Sequence, residues 1–420
     1  MAPQGSCLAV DFGTSNTAAG ILRDDTVELI RLSGEAFTLP TTFFFDADSR
    51  RTLIGDEANR ALLDGEEGRF MRALKRVLGT PLMHEQRQIL TERLTFVDLI
   101  GRFLGEVKAR AERQTGLTFE RVLSGRPVVF HGPDDPREGQ AEDDLRACYA
   151  AAGFTEVSFL MEPEAAALAS GAQDRLGDLA MIVDIGGGTS DFSLFRAGPD
   201  GIEILANHGI RIGGTDFDRA ISIDHVMPAF GKGTDLRRAF GPGLTPVPTA
   251  IFNDLATWEK IPFVQTPQAA RKVAEMLRVS TAPDRLGRLA TVLENALGHD
   301  VAFAVEAGKI AANGASRSGR IDLSEVEPGL ALRLDAAGLD DSLAPSVDAL
   351  REAARRTCAL AGVAAQQVDR VVYVGGSSLM NIVGRALMAE LPGAAQSRAN
   401  VFTGVVEGLA RATTRRGASG

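Results

Sequence analysis

The stretch "IVDIGGGTSDFSLF", Ile182 to Phe195, decides the reading of this chain. An apolar β-type run carries Asp184, three glycines and a threonine follow, and a second β-type run opens at Asp191. Near the start of the chain, "LAVDFGTSNTAAGIL", Leu8 to Leu22, follows the same plan, with Asp11 ahead of Gly13 and Thr14. Two turns of one design, far apart in sequence, predict two related halves with a ligand held between them.

A turn without Cβ atoms lets backbone N–H groups approach an anion directly. Gly186, Gly187, Gly188 and Thr189 are therefore expected to cradle phosphate oxygens, and Gly13, Thr14, Ser15 and Asn16 to do the same from the other half. Aspartates repel phosphate. Asp11, Asp184 and Asp191 make chemical sense if a hydrated Mg2+ stands between carboxylates and phosphates, held mostly through water. Each turn taken alone also reads as a hairpin with aspartate as an ordinary turn residue. Two matched turns, each after a buried strand, favour the phosphate site.

Outward from the turns, the chain alternates strand and helix signals. "RFMRALKRVL", Arg69 to Leu78, reads as an amphipathic helix with Phe70, Leu74, Val77 and Leu78 on one face. "TFVDLIGRFLGEVKARAERQTG" predicts a helix capped by Thr95 and Asp98 and closed by Gly116. "EPEAAALASG", from Glu162, and "VFTGVVEGLARAT" are small-residue helices whose Ala165, Ala166, Ala169, Gly404 and Gly408 would allow a close crossing. Residues 225–268 are rich in proline and glycine and read as an irregular insertion, with long helices near 268–280 and 287–313. The expected division is 1–175 and 176–414, with 415–420 frayed.

Composition narrows the function. A net charge of −10 and a pI near 5.2 argue against a nucleic-acid surface. No apolar run is long enough for a membrane span, and the start lacks a signal-peptide pattern, so a cytoplasmic protein is expected. Cys7, Cys148 and Cys358 are isolated and show no zinc spacing. His84, His131, His208, His225 and His299 are scattered and read as surface or packing residues.

Taken in order, "AVDFGTSNTAAGI", "EPEAAALASG", "VDIGGGTSDFS", "IRIGGTDFD" and "VVYVGGSS" resemble the phosphate, connecting and adenosine motifs of the actin-like ATPases. As a set they resemble the nucleotide-binding domain of the heat shock protein 70 (DnaK) family, and "SGRPVVFHG" looks like its YegD-type subgroup. The resemblance implies an α/β, ribonuclease H-like fold with two lobes, each of two subdomains, around a cleft that holds ATP or ADP with Mg2+. It matches Asp11, Thr14, Asp184, Thr189 and Asp191 to the family's phosphate and metal positions. Glu162 matches the glutamate near the metal and the attacking water, and Lys75 the lysine that stabilises the γ-phosphate. Read without the family, Lys75 is a solvated helix charge beside Arg72 and Arg76. Gly213 and Gly214, then Gly375, Gly376 and Ser377, match further glycine turns, and Pro127 the proline that relays nucleotide state.

Glu306, Lys309 and Asn313, at helical spacing, are expected at ribose and the adenine edge; otherwise they form a solvated face. Ile310 and Leu379 stand where the family carries two arginines, which removes the cation–π contacts to the base. No leucine-rich linker, β-sandwich or helical lid is expected after the closing helix. The implied function is a slow Mg-dependent ATPase acting as a chaperone-like or regulatory switch on an unidentified protein partner. An ATP-gated partner-binding module with little hydrolysis and a small-molecule kinase are the alternatives.

Overall fold

The computed structural model describes residues 6–132, 134–170, 176–198, 201–238, 241–398 and 403–416. The chain forms two compact units, one from Met1–Gly214 with Asp348–Gly420, the other from Thr215–Val347.

The first unit is built on two sheets of the same plan. In one, Cys7–Phe12 pairs antiparallel with Asn16–Arg23 and parallel with Arg121–Arg126, which in turn pairs parallel with Glu156–Met161. In the other, Leu179–Ile185 pairs antiparallel with Ser190–Gly198 and parallel with Arg370–Val374. Gly201–Ile210 and Ala395–Arg398 complete the second sheet at its edges. The repeat expected from the two aspartate–glycine turns is thus a repeat of hairpin plus parallel strand. The central strands read as near-continuous Val, Ile, Leu and Ala because both of their faces are covered.

Two cores hold this unit. Beneath the first sheet, Phe12, Phe43, Phe96, Phe103 and Phe119 are fully buried, and the helix Phe96–Thr115 supplies two of them, Phe96 and Phe103. That helix begins with the predicted capping box. Thr95 Oγ1 accepts from Asp98 N at 3.2 Å, and Asp98 Oδ2 accepts from Thr95 N at 2.8 Å. Gly116 ends it in left-handed backbone at φ 69°. Thr95→Ala is expected to cost about 1 kcal/mol, a fall of about 2–4 °C in melting temperature; thermal unfolding followed by circular dichroism checks this.

The second core is made of small residues. The helix Glu162–Ala169 packs against the helix Gly404–Arg416 through Ala165, Ala166, Val405, Val406, Leu409 and Ala410. Gly408 sits at the crossing: a Cβ there would lie 1.7 Å from the backbone oxygen of Ala165. The close approach expected from these small residues is present.

Arg69 to Leu78 departs from its expected helix. Gly68–Arg72 is a strand that pairs antiparallel with Thr42–Asp46, and Leu74–Val77 is a single 3-10 turn. Of the apolar side chains that suggested a helical stripe, Phe70 is buried on this strand, and Leu74, Val77 and Leu78 are buried on the turn and at its end.

In the second unit, residues 287–313 form parts of two helices, Pro283–Glu294 and Gly298–Asn313, rather than one. Ala296 breaks the run in left-handed backbone at φ 56°. The expected irregular insertion holds short helices, among them Ala250–Leu255 and Ile261–Val264, and a ribbon of Asp235–Arg237 with Leu244–Pro246. A buried polar cluster anchors this unit. Lys309 Nζ donates to Asp218 Oδ1 at 2.6 Å, and Trp258 Nε1 donates to Asp218 Oδ2 at 3.1 Å.

Candidate functional site

The two predicted turns have one construction. Gly13 N donates to Asn16 O at 3.0 Å, and Gly186 N donates to Thr189 O at 3.0 Å. A Cβ on Gly13 would lie 2.2 Å from Asn16 O, so only glycine closes that turn. The turns also face each other. A Cβ on Gly187 would meet Ser15 Oγ at 2.5 Å, and one on Gly188 would meet Thr14 Oγ1 at 2.9 Å.

The remaining glycine motifs of the first unit converge on the same place. Gly214 N donates to Gly186 O at 2.9 Å. Gly213 backs onto Gly187 and Gly188, and Gly214 onto Ser377. Gly375, at φ 76°, lies so close to the Asp184 carboxylate that a Cβ would be 2.7 Å from its Oδ1. Gly376 and Ser377 follow in a short 3-10 turn. The structure therefore assembles Gly13–Asn16, Gly186–Thr189, Gly213, Gly214 and Gly375–Ser377 around one point.

Carboxylates gather at that point. Asp184 and Asp191 stand directly opposite each other across the hairpin, a like-charge pairing that weakens a sheet. Both are buried, and Asp11 keeps an edge toward water. Asp191 Oδ1 accepts from Val128 N at 2.7 Å, and its carboxylate also takes a hydrogen bond from Thr189. Among the described residues, neither the Asp11 nor the Asp184 carboxylate receives a hydrogen bond.

The short turn after Gly68–Arg72 brings Lys75 into this cluster. Its Nζ donates to Glu162 Oε1 at 2.8 Å, and both residues are buried at 8% exposure. The solvated helix position is thereby excluded for Lys75. Glu162 opens its helix beside Gly125, whose missing Cβ leaves room for the Glu162 stem.

The electrostatics follow from four carboxylates and one ammonium. Desolvation, then the charge of Glu162, pushes Asp11 up to about 7, with Lys75 acting the other way. Desolvation and the neighbouring carboxylates hold Asp184 and Asp191 well above the ordinary range, with the Val128 N–H opposing this at Asp191. Burial disfavours the Lys75 charge, but Glu162, Asp11 and Asp191 more than compensate and raise its pKa. Such a site has the donor chemistry for a divalent cation. Among the described residues no group of three or more His, Cys, Asp or Glu is close enough to hold a metal directly. Asp11, Asp184 and Asp191 could hold such a cation only through its water.

Glu306, Lys309 and Asn313 lie in the second unit, on the helix Gly298–Asn313. Lys309 is buried with its ammonium on Asp218, so it is no solvated charge. Glu306 and Asn313 are half-buried, and Ile310 is 63% exposed. Sequence reasoning missed Asp144, whose buried Oδ2 accepts from Gly79 N at 2.7 Å and so ties down the end of the Lys75 turn. It also passed over Arg211, although that residue lies inside a motif quoted for its glycines.

Comparison with known proteins gives an independent view. Residues 86–239 match the family model described as Hsp70 protein. A chaperone protein DnaK from Endomicrobium trichonymphae is 33% identical over 242 residues, covering 55% of this chain and 36% of that relative. A chaperone protein DnaK from Nitrosopumilus maritimus is 25% identical over 389 residues, covering 90% of this chain. The matched part spans 51% of the Nitrosopumilus protein, so this chain corresponds to about half the length of that relative. No described helix is long and apolar enough to cross a membrane.

Proposed function

We propose, from its likeness to the Hsp70 family and its actin-like ATPase fold, that this chain binds ATP with Mg2+ and hydrolyses it slowly to ADP and phosphate. Its nucleotide state then sets its affinity for a protein partner, in a chaperone-like or regulatory role. The observation that carries the reading is the pair of undonated carboxylates, Asp11 and Asp184, placed between two facing glycine turns. A phosphate chain supplies the negative ligand for the turns, and its counter-ion relieves the carboxylates.

Each residue then has a task. The N–H groups of Gly13–Asn16 and Gly186–Thr189 bind phosphate oxygens. When bound, Mg2+ supplies positive charge to the phosphate oxygens as the transferred group loosens. Asp11, Asp184 and Asp191 orient its water shell. Glu162 aligns the attacking water and takes up its proton, while Lys75 holds Glu162 in place and faces the charge that develops on the γ-phosphate. Thr189 steadies the Asp191 carboxylate.

Lys75→Ala tests this chemistry. ATP affinity is expected to stay largely intact, while single-turnover hydrolysis slows by about a hundredfold, the scale for one group aimed at a transition state. Rapid-quench measurement with a slight excess of protein over ATP reads the rate. An unchanged rate would remove Lys75 from the chemistry. A wild type that binds Mg-ATP with no turnover would favour the partner-gating reading.

A further inference from the structure

The turn from Ala73 to Gly79 carries Lys75 into the site, and its own bonds hold only part of it: Arg76 N donates to Ala73 O at 3.0 Å. Ala73 stands in left-handed backbone at φ 63°, a conformation that is strained for an alanine. Inside the turn, the bond from Leu78 N to Lys75 O stretches to 3.4 Å. The carbonyls of Arg76 and Leu78 are satisfied by side chains from elsewhere. Arg211 Nη2 donates to Arg76 O at 2.7 Å, and His131 Nε2 donates to Leu78 O at 2.6 Å. Between these two, Arg211 Nη1 donates to His131 Nδ1 at 3.0 Å.

The two bonds to the ring fix the imidazole as neutral, with its proton on Nε2, because one ring nitrogen gives and the other takes. Burial, and then the Arg211 guanidinium against the support of the Leu78 carbonyl, hold the ring's pKa below its ordinary value. A Cβ on Gly79 would lie 2.9 Å from His131 Nε2, so the ring is seated directly on the turn.

We propose that Arg211 and His131 are positioning residues for Lys75. Arg211 follows the strand Gly201–Ile210, whose neighbour Ser190–Gly198 bears Asp191. The sheet that places the carboxylate therefore also reaches the turn of the lysine, directly through Arg211 on Arg76 O and indirectly through its bond to His131. The inference deepens the hydrolytic reading above and rests on it for its kinetic test.

Arg211→Ala is expected to slow single-turnover hydrolysis about 10- to 100-fold, the effect of a misplaced reacting group, while ATP affinity moves by less than about threefold. Arg211→Lys keeps one of the two bonds and should recover part of the rate. In a Lys75→Ala background, Arg211→Ala should have no further effect, because it acts through the lysine. Equal losses in both backgrounds, or a loss of affinity that matches the loss of rate, would overturn the proposal. A second readout needs no turnover. Reductive methylation of Lys75 in the nucleotide-free protein, followed by mass spectrometry, should speed up about tenfold in Arg211→Ala as the turn opens locally. Unchanged labelling would also overturn it. Absence of hydrolysis in the wild type would count against the ATPase reading alone and would leave the labelling result to decide this one.

Discussion

Asp184→Asn is expected to lower Mg2+-dependent ATP affinity by roughly a hundredfold, the scale on which a carboxylate supporting a metal acts, and at the same time to raise the melting temperature of the nucleotide-free protein. The two effects have one cause. Asp184 is buried, faces Asp191 across the hairpin, and is further opposed by Glu162 and Asp11, with Lys75 as the offsetting charge. Without a cation, its ionised form is a burden on the fold. Asparagine removes the charge at nearly the same shape, and the gain should be roughly 3–5 °C. Asp11→Asn should behave alike, with a smaller gain because Asp11 reaches water.

The pH dependence carries the same sign. A carboxyl whose folded pKa is raised stabilises the fold below its ordinary value, and that stability is lost as pH rises through the folded value. For Asp11 the window runs from 3.8 to about 7. The Asp11 contribution to nucleotide-free stability should therefore grow as pH falls across it, and Asp11→Asn should remove that contribution. Calorimetric titration of ATP with and without Mg2+, and thermal scans at several pH values, provide the measurements. Equal ATP affinities for variant and wild type in Mg2+ would remove the metal-site reading.

Gly408→Ala should produce the largest loss of stability. The new Cβ would lie 1.7 Å from Ala165 O and 2.4 Å from its carbonyl carbon. Backbone cannot swing aside as a side chain can, so the two helices must part. Separation uncovers Ala165, Ala166, Val406 and Leu409, all buried in the small-residue core. A cost of about 3 kcal/mol or more is expected. Gly384→Ala is the matched control. It lies on the helix Asn381–Glu390, nothing stands within 4 Å of its would-be Cβ, and alanine there should gain up to about 1 kcal/mol from helix propensity. Urea unfolding of both variants decides; a Gly408→Ala protein as stable as wild type would mean that the crossing is looser than described.

Features with local chemistry were legible in the sequence. The hairpins around Asp11 and Asp184, the capping box at Thr95 and the glycine at 408 each declare themselves through neighbouring residues. What was hidden depends on distant partners. Phe70, Leu74, Val77 and Leu78 fit a helical period, yet pairing with Thr42–Asp46 makes a strand of Gly68–Arg72. Lys75 among arginines looks solvated until Glu162, 87 residues away, meets it. Lys309 hides its partner in the same way, since Asp218 is 91 residues distant. The break at Ala296 has no proline to announce it, because an alanine holds the left-handed conformation there.

The division of the first unit into two sequence segments has a consequence for biosynthesis. Leu179–Ile185 leaves the ribosome long before its parallel neighbour Arg370–Val374, and the helix Gly404–Arg416 that seals the small-residue core comes later still. At roughly 5–20 residues per second, the half-made sheet waits on the order of ten seconds or more with an unpaired Val- and Ile-rich edge. Thr215–Val347 can fold on emergence during that interval. A nascent chain stalled before residue 370 should thus expose that edge to other chains and to proteases, and the yield in cells should depend on how quickly residues 370–416 are made.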